Sequence, residues 1–193
     1  LDGFEVKDRC YPGFWENLGP AEKKRTYFVP EIEKYSISKI INTINKLRDS
    51  NKNYIIKWEF LSFKDYFFAI NHYLRIRKVQ VPECYFRVFQ LKYLIYEELF
   101  TGLNFGMAMS ALINYRFFKK LKQLGIRIET SINWFENQGM DKGWNRGLHD
   151  FFPEAIKKGY LGMIISKHYL PMFPTIAEAK ANVLPDTLLV VGT

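Results

Sequence analysis

Cysteine is scarce in this chain. Cys10 and Cys84 are the only two among 193 residues. They lie far apart with no CxxC, so they make neither a disulfide framework nor a zinc knuckle. A reducing cytoplasm is the compartment this usage fits. No secretory signal pattern is present. The uncharged stretch Thr101 to Tyr115 contains Gly and Asn and falls short of the ~20 apolar residues a spanning helix needs. The phosphate-binding P-loop, GxGxxG, HExxH and GxSxG are all missing. An Asp-x-Asp pair is missing too, which argues against metal-held sugar-nucleotide chemistry. No metal site is expected. Internal repeats and low-complexity segments are also lacking.

What is present is apolar and basic. Hydrophobic residues make up 48% of the chain and aromatics 17%, enough to bury a core without staples. The formal charge of +8 favours anionic partners: nucleotide diphosphates, nucleic acid or acidic headgroups. Nucleic acid ranks last, because no recognition motif accompanies the charge.

Along the chain, residues 1–35 read as an irregular lead-in, with a short strand at Tyr27-Phe28-Val29 that Pro30 stops. Residues 36–125 read as mainly helical. Ser36 caps a helix carrying Ile37, Ile40, Ile41, Ile44 and Leu47. Tyr54 to Phe60 is strand-like. Ser62 opens a helix whose apolar stripe is Phe63, Phe67, Ile70 and Leu74, with Arg75, Arg77 and Lys78 on its far face. Val88, Leu91, Ile95 and Leu99 mark a third helix, and Phe105 to Leu124 a fourth. Lys119, Lys120 and Lys122 suit the fourth helix's C-terminal dipole, and Gly125 its C′ position.

The texture changes at residue 126. Strands are expected at 126–135, 159–166 and 187–191, separated by a helix from Met140 to Phe152 and another capped by Thr175 and Glu178. Strand, helix, strand, helix, strand is the pattern of a parallel sheet with crossover helices. The expected fold class is therefore α/β, a Rossmann-like parallel sheet with flanking helices after a helix-rich N-terminal two-thirds. The chain is expected to form one domain.

The densest chemistry lies where the first of these strands ends. Glu136-Asn137-Gln138 follows the apolar run directly, and Gly139 opens the helix. Ligands of open α/β sheets sit beyond the strands' carboxyl ends, and helix N-termini there attract anions. Asp141, Asn145 and His149 are spaced i, i+4, i+8 and share one helix face, with Leu148 and Phe151 expected on the other side. Gly143 and Gly147 would admit a neighbouring backbone or a ligand. Ion pairing offers a plain alternative: Asp141 suits the helix dipole, and Arg146 can bridge Asp150. His168 follows the second strand and could reach a phosphate or a sugar hydroxyl.

At Trp134-Phe135-Glu136-Asn137-Gln138, Gly159-Tyr160-Leu161-Gly162 and Ser166-Lys167-His168-Tyr169 the chain resembles bacterial surface-polysaccharide biosynthesis proteins. These are glycosyltransferase-like proteins of the GT-B type, including the Kdo-transferase-like groups. Val183-Leu184-Pro185-Asp186, followed by Leu188-Leu189-Val190-Val191-Gly192, matches the lead-in to their nucleotide-binding domain. The resemblance covers residues 126–193; residues 1–125 carry no matching motif. It implies the N-terminal, acceptor-side half of a GT-B fold, a fragment inactive by itself. It further implies transfer of a sugar from a nucleotide donor, used as substrate rather than cofactor, to a glycan acceptor in capsule or O-antigen synthesis. Glu136 would be the base and Asp141 the second candidate. Asn137, Gln138, Asn145, His149 and His168 would bind sugar or phosphate. The other reading is a non-catalytic module whose basic, aromatic surface (Arg75, Arg77, Lys78, Lys119, Lys120, Lys122) meets anionic lipid headgroups or a polyanion. Peripheral association with the inner face of the cell membrane fits either reading.

Overall fold

The computed structural model describes residues 15–30, 36–76, 78–101, 105–162 and 173–190. The chain divides into two compact units, residues 1–60 and 61–193. The division falls inside the segment expected to be mainly helical.

Among the described residues the first unit holds three helices: α1 (Pro20–Lys23), α2 (Ile37–Arg48) and α3 (Lys57–Phe60). Its core is Trp15, Phe28, Leu47 and Ile56. The expected strand at Tyr54–Phe60 does not form. Tyr54 makes one isolated parallel bridge with Phe28, and the chain then turns into α3. Pro30 explains the brevity, since a ladder along Phe28 lacks a donor two residues on.

The second unit begins with α4 (Phe63–Ile76), then a hairpin of β1 (Tyr85–Phe86) and β2 (Phe89–Gln90), then α5 (Lys92–Thr101) and α6 (Phe105–Gln123). The hairpin replaces the start of the expected third helix. Arg87 takes a left-handed φ of 56°, which turns the chain at Val88 and postpones the helix to Lys92. Gly125, at φ 74°, ends α6, with the N–H of Ile126 returning to the Leu121 carbonyl.

Strand β3 (Thr130–Trp134), helix α7 (Gly139–Phe151), strand β4 (Ile156–Leu161), helix α8 (Ile176–Lys180) and strand β5 (Thr187–Val190) complete the unit. The three strands are parallel, in the order β3-β4-β5. The βαβαβ expectation holds, but β3 is shorter than expected, and β4 starts three residues earlier; residues 163–166 and 191 of the expected strands lie outside the described residues.

α7 packs on the sheet through Trp144, whose indole N–H donates to Ser131 Oγ at 3.2 Å. The same helix also meets α6. There Phe118 is buried, edge-on to Trp144 at 4.7 Å and to Phe152 at 6.2 Å. Gly143 sits so close to α6 that a Cβ would lie 2.0 Å from the Ala111 carbonyl oxygen. The glycines of α7 thus admit a helix. α6 in turn holds α4. Asp65, fully buried, accepts from Ser62 at the helix start and from Arg116 Nε at 2.7 Å, with Lys120 Nζ 3.5 Å away. Lys120 is therefore an ion-pair partner as well as a dipole-compatible cation.

Candidate functional site

The carboxyl end of β3 is a tied turn. Asn137 adopts a left-handed φ of 56°, which Asn tolerates better than most residues. The Asp141 carboxylate, in the first turn of α7, accepts the backbone N–H of Glu136 at 2.9 Å and of Gln138 at 3.0 Å. Asp141 is nearly inaccessible, and its geometry is that of a capping-box carboxylate closing a helix start.

Glu136 is half-buried, and two N–H donors fix its side chain: the Trp134 indole and the Gln138 amide, the latter at 2.6 Å. The Trp134 ring meets Tyr160 of the adjacent strand edge-on at 5.5 Å. It also lies over Gly162, where a Cβ would fall 2.2 Å from the indole. An aromatic pair and an oriented carboxylate therefore share this sheet edge.

A second network borders the first. Glu178 of α8 pairs with Lys142 of α7 and receives the Asn137 amide at 3.4 Å. It also closes the α8 capping box with Thr175. Burial by itself would raise its pKa. The hydrogen bonds from Lys142 and from the Thr175 N–H and hydroxyl, with the Lys142 charge, outweigh this and hold it at about 2.

The remaining candidates lie elsewhere. Asn145 is fully buried, its amide donating to the Asp141 carbonyl at 2.9 Å. Leu148, seven residues after Asp141, lies only about 20° from it around the helix at 100° per residue. Leu148 therefore shares the buried face, contrary to the expectation that it lies opposite. His149 stands two turns further, about 12 Å along the axis from Asp141. Its Nε2 lies 2.9 Å from the Leu184 carbonyl oxygen and 3.9 Å from Asp186 Oδ1, at the start of β5. That is the amino edge of the sheet, where Asp186 also pairs with the backbone of Lys157. Arg146 pairs with Asp150, as expected, and also donates to the Ala181 carbonyl at 2.7 Å. The chain thus brings Glu136, Asn137, Gln138 and Asp141 together, buries Asn145, and sends His149 to the opposite edge. His168 lies outside the described residues.

Sequence reading missed Trp134 and Glu178 as members of this cluster. Glu178 was legible as a helix cap. Its reach to Asn137 depends on the fold of α8 beside α7. Trp134 could have been found from its place two residues before Glu136.

Among the described residues, no group of three or more His, Cys, Asp or Glu gathers as metal ligands, and no helix is long and apolar enough to cross a membrane. The sheet order is sequential, so the three strands have no point between them where the order reverses. These features define the class: a mixed α/β protein with a three-stranded parallel sheet flanked by helices. Beyond that class, no family model matches the chain, and no curated protein or solved structure matches it.

Proposed function

We propose that this chain is the acceptor-side, Rossmann-like part of a glycosyltransferase of the GT-B type, acting in bacterial surface-polysaccharide synthesis. The observation that carries the reading is the Glu136 carboxylate at the carboxyl edge of a parallel sheet, oriented by Trp134 and Gln138 and flanked by the Trp134–Tyr160 pair. Aromatic faces suit the apolar face of a sugar ring, and a carboxylate beside them is a competent general base. The resemblance at Trp134–Gln138 and Gly159–Gly162 supports the same assignment.

In this mechanism Glu136 accepts the proton of an acceptor hydroxyl. The hydroxyl oxygen forms a bond to the donor's anomeric carbon, and the bond from that carbon to the nucleotide phosphate breaks, its electron pair leaving with the phosphate. Gln138 orients the acceptor side, and Asn137, buried and donating to Glu178, shapes the turn that presents it. Asp141 acts through the turn it ties. Asn145 and His149 take no part, being buried and remote.

The test is transfer by the full gene product. Incubation with a panel of nucleotide sugars and a lipid-linked glycan extract should release nucleotide in proportion to labelled glycan formed. Glycan labelling unaffected by Glu136→Ala, or no labelling with any donor, contradicts the proposal.

A further inference from the structure

α4 is turned the opposite way from the sequence expectation. At 100° per residue, Phe63, Phe67, Ile70 and Leu74 fall within about 60° of the helix surface. They are 95%, 65%, 42% and 49% exposed. The face toward α6 instead holds Asp65 and Ala69, both fully buried, and Phe68, stacked on Tyr115 at 6.5 Å. A stripe of four large apolar side chains facing water along one helix marks an interaction surface.

The borders of the stripe indicate what meets it. Exposed Lys64 and Arg75 lie along one side. Tyr66 and Tyr73 lie along the other, and Tyr73 meets half-exposed Phe105 edge-on at 4.9 Å. Asp65 is the sole acidic residue of α4, and it is sealed against Arg116. The outward face therefore combines an apolar stripe, a cationic border and a tyrosine border, with no carboxylate of its own.

We propose that this face of α4 adsorbs the protein to an anionic phospholipid surface, with the helix lying in the interface plane. Phe63, Phe67, Ile70 and Leu74 enter the acyl boundary, the tyrosines sit at headgroup level, and Lys64 and Arg75 meet lipid phosphates. Antiparallel pairing with a second copy across the same face is disfavoured, because it sets Lys64 and Arg75 of both copies against one another with no α4 acid between them, and parallel pairing leaves both cationic borders without a carboxylate from α4. The cations that sequence alone had offered for this role are partly committed elsewhere: Lys120 to Asp65 and Lys122 over the Phe152 ring. The proposal goes beyond the chemistry at β3 and stands if that chemistry fails.

Co-sedimentation of the full chain with vesicles tests it. Mixed phosphatidylglycerol–phosphatidylcholine vesicles should bind the protein roughly tenfold or more tightly than phosphatidylcholine alone, and raised salt should erase the difference. The double variant Phe67→Asn/Ile70→Asn should weaken binding to the anionic vesicles by about tenfold. Lys64→Glu/Arg75→Glu should remove the preference for them. All these side chains are exposed, so the melting temperature should not move, and a control melt separates lost binding from lost folding. Three outcomes overturn the proposal: no binding to anionic vesicles, equal binding to both compositions, or a concentration-dependent dimer that Phe67→Asn abolishes.

Discussion

The two ends of α7 carry similar side chains and do different things. At the N-terminal end three carboxylates, two amides and a lysine surround the turn where β3 stops. Asp141 and Glu178 hold that turn in place, and Glu136 is left half-buried beside an aromatic pair. At the C-terminal end a histidine, an arginine and an aspartate are spent as fasteners. His149 reaches Leu184, Arg146 reaches Ala181, and Asp150 accepts from both Arg146 and Tyr115. Residues at i, i+4 and i+8 share a face, but a helix rising 1.5 Å per residue separates the outer two by about 12 Å. Sharing a face is therefore not sharing a site. In a parallel βαβ unit the two ends of the crossover helix serve opposite edges of the sheet.

The strongest way to break this comparison is to disturb what both ends depend on. Gly143→Val places side-chain carbon against the Ala111 backbone, where even a Cβ has only 2.0 Å. It should destabilise the second unit by about 3 kcal/mol or more. Denaturant unfolding checks this, and an unchanged midpoint would mean that α6 and α7 do not cross so closely. Next comes Asp141→Ala, which strips two backbone N–H groups of their acceptor and should cost about 2 kcal/mol. If that variant keeps its melting temperature and loses only activity, Asp141 is a chemical group rather than a cap.

Acid gives the gentlest test. The folded-state pKa of Glu178 is depressed to about 2, below its ordinary 4.5. Its contribution to stability is therefore present above the unfolded value and is lost as pH falls from about 4.5 toward 2. Amide protection factors at the start of α7 and in α8, each taken against the intrinsic exchange rate at that pH, should fall across that window, and Glu178→Gln should flatten the response. Asp65, also held at about 2, titrates in the same range. The Glu178→Gln difference spectrum isolates the local part.

Local signals carried the second half of the chain well. The Thr175–Glu178 capping box, Gly125 after α6 and the strand–helix alternation each rest on neighbours a few residues apart, and each was legible. The orientation of α4 was not. Periodicity shows that Phe63, Phe67, Ile70 and Leu74 share a face. It does not show which face meets α6, and that is decided by Arg116 and Lys120, far along the chain, drawing Asp65 inward. The hairpin at Tyr85–Gln90 was hidden because Arg is an uncommon residue at positive φ. At the candidate site, Glu136, Asn137 and Gln138 were legible because they interrupt an apolar run. The burial of Asn145 needed the position of α6, and the place of His149 needed the direction of α7 relative to the sheet.

One paired measurement addresses the central claim: turnover per folded molecule and melting temperature of the full gene product, for Glu136→Gln and His149→Gln side by side. Glu136→Gln should lower turnover by about two to four orders of magnitude with the melting temperature nearly unchanged. His149→Gln should lower the melting temperature slightly, by about 1 kcal/mol of stability or less, with turnover per folded molecule intact. The reverse pattern, with His149 carrying turnover and Glu136 only stability, would contradict the assignment of chemistry to the carboxyl edge and of fastening to the amino edge.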